Sequence, residues 1–142
     1  MRVLALDIGE VRVGVAVSDP GERVASPVCV MPAAEVTGCA KPFRRLLEDW
    51  EPELFVCGLP RTLAGEEGPQ AQRIRAAADA ISAACGIPHE FADERLSSSE
   101  AKRSLREKGM DEKAMRGKID MIAASLFLQA WLDARVGTEA ER

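Results

Sequence analysis

An unbroken apolar run, Val3-Leu4-Ala5-Leu6, gives way to Asp7-Ile8-Gly9 at the start of the chain. A short run bounded by a turn signal predicts a buried strand. Beyond the turn, Val11, Val13, Val15 and Val17 alternate with Arg12, Gly14, Ala16 and Ser18. That period of two predicts a second strand with its valine face buried. Asp19-Pro20-Gly21 turns the chain again, and Arg23 to Met31 reads as a third strand, pushed by Pro27 towards an edge or a bulge. These three strands form an antiparallel meander.

The period then changes. Phe43, Leu46, Leu47 and Trp50 have helical spacing, and Leu54-Phe55-Val56-Cys57 is a second buried run, followed by Gly58-Leu59-Pro60 and a loop to Gly68. Pro69 suits the first turn of a helix whose stripe is Ile74, Ala77, Ala78, Ile81 and Cys85, ended by Gly86 and Pro88. A fifth strand runs through His89-Glu90-Phe91-Ala92 to Asp93-Glu94. Ser97 with Glu100 is a capping-box signature for a helix that stops near Gly109, and a last helix covers Asp111 to Arg135 with an interruption at Gly117. The order β-β-β-α-β-α-β-α-α predicts an α/β domain: a five-stranded mixed sheet, the meander plus two parallel strands, flanked by helices. In such sheets ligand chemistry gathers at the carboxyl ends of the strands.

The length, 142 residues, suits one domain spanning 1–142, and 46% hydrophobic residues suffice for a core without disulfides or a structural metal. No apolar run approaches the roughly 18–20 residues of a membrane span. The start, MRVLALDIG, has no signal-peptide pattern. Cys29, Cys39, Cys57 and Cys85 form no C-x-x-C pair, so neither zinc nor a disulfide framework is expected, and a reducing cytoplasm fits. The net charge of −4, six aromatics and no Tyr argue against a generic nucleic-acid coat protein. The average hides a patch: residues 1–94 are net −6, residues 95–118 are net +4 and residues 119–142 are net −2.

Three acidic positions stand out. Asp7 ends the first strand, and Asp93 and Glu94 end the fifth. At 100° per residue from Lys118, the last helix gathers Lys118, Ser125, Gln129 and Asp133 on its wet face. Asp120 falls instead beside Ala123, Ala124, Phe127 and Trp131, a lone carboxylate on the face that should be buried. Such a group requires a cation or a tight set of hydrogen bonds. Carboxylates from the first strand, a later parallel strand and the last helix can meet at one sheet edge. With no Cys or His cluster, they suit a hard ion, Mg²⁺ or Mn²⁺. Two such ions about 3.5–4 Å apart can activate a water and stabilise the leaving oxygen in phosphodiester cleavage. The only histidine, His89, begins a strand and reads as structural.

Asp7-Ile8-Gly9-Glu10-Val11-Arg12-Val13-Gly14-Val15-Ala16-Val17-Ser18-Asp19 resembles the opening signature of the YqgF family, also called RuvX. Its members are described as Holliday-junction resolvases and as pre-16S ribosomal RNA nucleases, with an RNase H-like fold. Three more blocks match in order: Gly58-Leu59-Pro60 with Gly65 and Gly68-Pro69-Gln70-Ala71, then Asp93-Glu94-Arg95-Leu96-Ser97-Ser98, then Asp120 with Ala123-Ala124 and Leu128-Gln129. Departures fall at Glu10, Arg61 and Met121. The resemblance implies that Asp7, Glu94 and Asp120 are catalytic carboxylates holding Mg²⁺ or Mn²⁺, with Glu94 chosen over Asp93 on the family motif. It implies a metal-dependent nuclease acting on precursor rRNA, with branched DNA as the alternative substrate, working as a monomer or weak homodimer without a membrane.

Arg12, Arg61 and Arg95 lie close in sequence to the strand ends, where phosphates need positive partners, and Lys102, Arg103 and Arg106 can extend the track. Ser18 and Ser97 are either site supports or ordinary strand-end and capping hydroxyls. Two competing readings remain. The D-x-G turn is also similar to the phosphate loop of actin- and hexokinase-like ATPases, but those close two such domains around a nucleotide. The other is a non-catalytic nucleic-acid-binding factor in ribosome assembly, against which the acidic trio counts.

Overall fold

The computed structural model describes residues 1–60, 66–93, 103, 106–109, 111 and 117–140, with no side-chain description for 136–140. Strands β1 (Val3–Ile8), β2 (Arg12–Ser18) and β3 (Ala25–Pro32) form the expected antiparallel meander, joined by a turn in which the Gly9 N–H donates to the Arg12 carbonyl at 2.9 Å. A Cβ on Gly9 would lie 2.6 Å from that carbonyl oxygen, so only glycine fits this turn. β3 is an edge strand. Its register with β2 slips between Val15 and Ala16, opposite Cys29 and Pro27, so the proline sits at both an edge and a bulge.

After a short helix α1 (Ala33–Thr37), helix α2 (Lys41–Trp50) buries Phe43 and Leu46 and leads into β4 (Leu54–Leu59). Helix α3 (Pro69–Cys85) carries the chain to β5 (His89–Asp93), and helix α4 (Ile119–Ala140) packs last. The sheet order is β3-β2-β1-β4-β5, with β1, β4 and β5 parallel, so their carboxyl ends share one edge. The sequence pattern did not predict α1. The last helix, expected over Asp111 to Arg135 with an interruption at Gly117, runs from Ile119 to Ala140 after a turn at Gly117 and Lys118, and residues 112–116 lie outside the described residues.

Strand alternation divides the core in two. Leu4, Leu6, Val13, Val15, Phe55, Cys57 and Leu59 face α1, α2 and α3. Val3, Ala5, Ala16, Leu54 and Val56 meet Ala124, Phe127, Leu128 and Leu132 of α4. Each large side chain buried here stabilises the fold by roughly 1.5–3 kcal/mol. The second face of β2 is therefore covered as well as the valine face, a correction to the expectation of one buried face. Its residues are small, Gly14, Ala16 and Ser18, because the helix lies close above them. The Ser18 hydroxyl accepts the Val3 N–H at 2.8 Å, at the opposite end of β1 from Asp7, so it supports the ladder and not the acidic edge.

Candidate functional site: an acidic edge of the sheet

Asp7 pairs directly with Gly14 across the antiparallel ladder, so the two residues point to the same face of the sheet. That face is the one α4 covers. A Cβ built on Gly14 would lie 2.1 Å from the carbonyl carbon and oxygen of Asp120 and 2.6 Å from the Met121 nitrogen. The missing side chain lets the first turn of α4 rest on β2. Asp120 is thereby seated over the residue paired with Asp7. The close approach at Gly14 thus brings the Asp120 backbone over the ladder partner of Asp7, although the two residues are far apart in sequence.

Arg12, the first residue of β2, lies on that face too. Its Nε donates to Asp120 Oδ2 at 2.8 Å, with the arginine side chain 52% exposed and the aspartate 24%. Asp120 is thus half-buried where the helical periodicity predicted burial, and Arg12 supplies the cation that was one of its two expected kinds of partner, the other being a tight set of hydrogen bonds. An ion pair this exposed contributes about 0–1 kcal/mol to stability, so its importance lies in where it holds two charges. A cleft of about 360 Å³ opens here, lined by Gly9, Glu10, Val11, Arg12, Gln70, Arg73 and Asp120. Arg73 approaches Glu10 at 3.9 Å. Sequence reasoning missed Gly14 and Arg73. The run of small residues on β2 was the available signal for the first, and nothing in the local pattern marks the second.

Asp93 belongs to the other face. It pairs with Leu59 and follows Phe91, both on the side of α3, whereas Ala92 packs beneath α4. Of the two acids at the end of β5, Asp93 is therefore not aligned with Asp7 and Asp120. Glu94, Arg61, Arg95 and Lys102 lie outside the described residues. Arg103 and Arg106 are exposed helical residues and do not line the cleft. His89 is tied down structurally, with Nδ1 2.6 Å from Ser82 Oγ, Nε2 3.2 Å from Asp79 Oδ1 and its ring edge-on to Phe91.

Among the described residues no group of three His, Cys, Asp or Glu side chains stands ready to hold a metal. Asp7 and Asp120 offer two hard oxygen donors on one face. That set suits Mg²⁺, which retains waters and commonly takes one or two carboxylates from the protein. No described helix is long and apolar enough to cross a membrane.

This sheet order, with acidic residues at the shared carboxyl edge, defines an α/β domain of RNase H-like fold. Two solved structures have that fold over nearly the whole chain. Thermus thermophilus RuvC in complex with a Holliday junction substrate matches with a TM-score of 0.56 and 18% identity, covering 97% of both chains. The fowlpox virus resolvase with Holliday junction DNA matches with a TM-score of 0.56 and 12% identity, covering 94% of this chain and 98% of that one. At such identities the likeness is one of fold. The chain itself belongs to the RuvX family, whose model, described as Holliday junction resolvase, matches residues 1–134. A Chloroflexus aurantiacus protein named "Putative pre-16S rRNA nuclease" is 41% identical over 133 residues, 94% of this chain and 87% of the relative. An Anaeromyxobacter protein of the same name is 40% identical over 135 residues, 95% of this chain and 98% of the relative.

Proposed function

We propose that this protein is a metal-dependent nuclease that processes the 5′ end of precursor 16S rRNA. The observation that carries the chemistry is the seating of Asp120 over Gly14, which brings its carboxylate to the face and edge that hold Asp7. The family and the names of the relatives at about 40% identity support nuclease activity, and those names favour precursor rRNA. A precursor-rRNA substrate implies a cytoplasmic protein. Cutting one RNA strand needs one site, so a monomer suffices.

Asp7, Asp120 and Glu94 would hold Mg²⁺ or Mn²⁺. We assign Glu94 over Asp93 because Asp93 lies on the face away from Asp7. A divalent cation bound there would supply activation of a water and stabilisation of the leaving oxygen. The chain's own residues do the rest. Asp7 and Asp120 orient oxygen donors from rigid elements, and Arg12 brings a guanidinium to where a phosphate must sit. The basic residues Arg61, Arg95, Lys102, Arg103 and Arg106 would extend the contact along the nucleic acid.

The test offers purified protein, with Mn²⁺ or Mg²⁺, three substrates side by side: precursor 16S rRNA, linear duplex DNA and a four-way DNA junction. Metal-dependent trimming of the rRNA is expected, abolished by EDTA. Asp7→Asn and Asp120→Asn should each lower the rate on the order of a hundredfold or more, with circular dichroism unchanged. Undiminished cleavage by a folded Asp7→Asn variant would overturn the mechanism. Cleavage of the junction with the rRNA left intact would move the substrate to branched DNA.

A further inference from the structure

The contact between Arg12 and Asp120 sets two requirements against each other. A divalent cation at the acidic edge needs lone pairs of Asp120, and the Arg12 Nε–H occupies one of them at 2.8 Å from Oδ2. The guanidinium also places a positive charge beside the position a dication would take. Repulsion of that kind can be relieved only by movement. The side chain is built to move: 52% of it is exposed, and the pairing shown runs through a single Nε–Oδ2 bond. The other cation in the cleft wall, Arg73, is drawn to Glu10 at 3.9 Å, leaving Arg12 as the partner of Asp120 among the described residues.

Resting on the metal-site reading above, we propose that Arg12 is a positioning residue that competes with the divalent cation for Asp120. It holds the carboxylate while the cation is absent. When the cation binds, the guanidinium is released towards the cleft, where it takes a phosphate oxygen of the nucleic acid. Charge stays balanced at each stage. The carboxylate always has a positive partner, and the freed guanidinium meets the phosphate anion brought to the bound cation. Because the linkage is reciprocal, cation binding should raise affinity for nucleic acid through this one side chain.

The experiment titrates Mn²⁺ calorimetrically into the full chain without nucleic acid, for wild type, Arg12→Gln and Arg12→Lys. Removing the competing charge should tighten Mn²⁺ binding in Arg12→Gln on the order of threefold to tenfold, a gain that shrinks at high salt. Arg12→Lys retains a cation and should stay within about twofold of wild type. Fluorescence anisotropy with a labelled single-stranded RNA supplies the second reading. Arg12→Gln should weaken RNA binding on the order of tenfold with Ca²⁺ present and less than about twofold in EDTA, where wild-type Arg12 is held by Asp120. Equal or weaker Mn²⁺ binding by Arg12→Gln would show that Arg12 supports the carboxylate instead of competing for it, and would overturn the proposal alone. An equal loss of RNA affinity in Ca²⁺ and EDTA would overturn the release step. Failure of wild type to take up Mn²⁺ would remove the metal site itself, and this inference with it.

Discussion

Gly14 and Asp120 divide the work of the acidic edge. The aspartate carries the charge, and the glycine lets its helix come close enough to deliver it. Adding a methyl group at Gly14 would put carbon 2.1 Å from the Asp120 carbonyl group, against backbone that cannot rotate away as a side chain could. Gly14→Ala should therefore destabilise the fold by about 1–3 kcal/mol or more, read as a lower urea midpoint, and should shift α4 off β2. A variant as stable as wild type would mean that α4 does not sit where the contact places it. Asp120 itself was legible in the sequence because a carboxylate broke an otherwise apolar helical stripe. Gly14 was not, since a glycine on the alternate face of a strand looks the same whether it meets water or a helix. Its neighbours Ala16 and Ser18, small and on the same face, were the evidence for close approach. Read by period alone, they were assigned to the uncovered side.

Among the elements, β3 shows how an edge strand is fastened from above as well as from beside. Gln129 of α4 accepts the Ala25 N–H through Oε1 at 2.9 Å, and its Nε2 donates to the Arg23 carbonyl at 2.8 Å and to Asp133 Oδ1 at 3.0 Å. The helical wheel put Gln129 on the wet face, but its reach across to β3 makes it a clamp between sheet and helix. Truncation would leave the half-buried Ala25 N–H without this acceptor, a loss of about 1–3 kcal/mol. Gln129→Ala should lower stability by that amount and speed hydrogen exchange at Ala25 more than at β1. Unchanged exchange at Ala25 would argue that water replaces the amide at no cost. The strands were readable because runs and alternation are local, and Pro27 correctly marked its strand as an edge with a bulge. Helix α1 was not readable: Ala33–Thr37 is too short to show a helical period. What fixes it is non-local, the Ala33 N–H donating to the Val11 carbonyl in the β1–β2 turn at 2.8 Å.

Across the whole molecule the four cysteines are free, with the Cys39 and Cys85 sulfurs 3.1 Å apart. Cys57, at the centre of β4, is 1% exposed, and burial pushes its thiol up to about 12 from an ordinary 9.0. The sign of the pH effect follows from proton counting. Below pH 9 both folded and unfolded chains keep the proton, and the full stability is present. Between about pH 9 and 12 the unfolded chain loses the proton that the folded chain retains, so unfolding becomes easier by up to about 1.4 kcal/mol for each pH unit. Near pH 10.5 Cys57 alone should cost about 2 kcal/mol relative to neutral pH. Cys57→Ala should reverse this ordering. At neutral pH the variant is weaker than wild type by about 1 kcal/mol, because a cavity opens in the core. As the pH rises it should lose stability more slowly, until the two chains cross. Urea midpoints at pH 8 and about pH 10.5 measure both ends, and parallel losses in the two proteins would place the alkaline weakness elsewhere. The same burial keeps Cys57 protonated and shielded at pH 8, so it should not react with a thiol reagent there until the sheet opens.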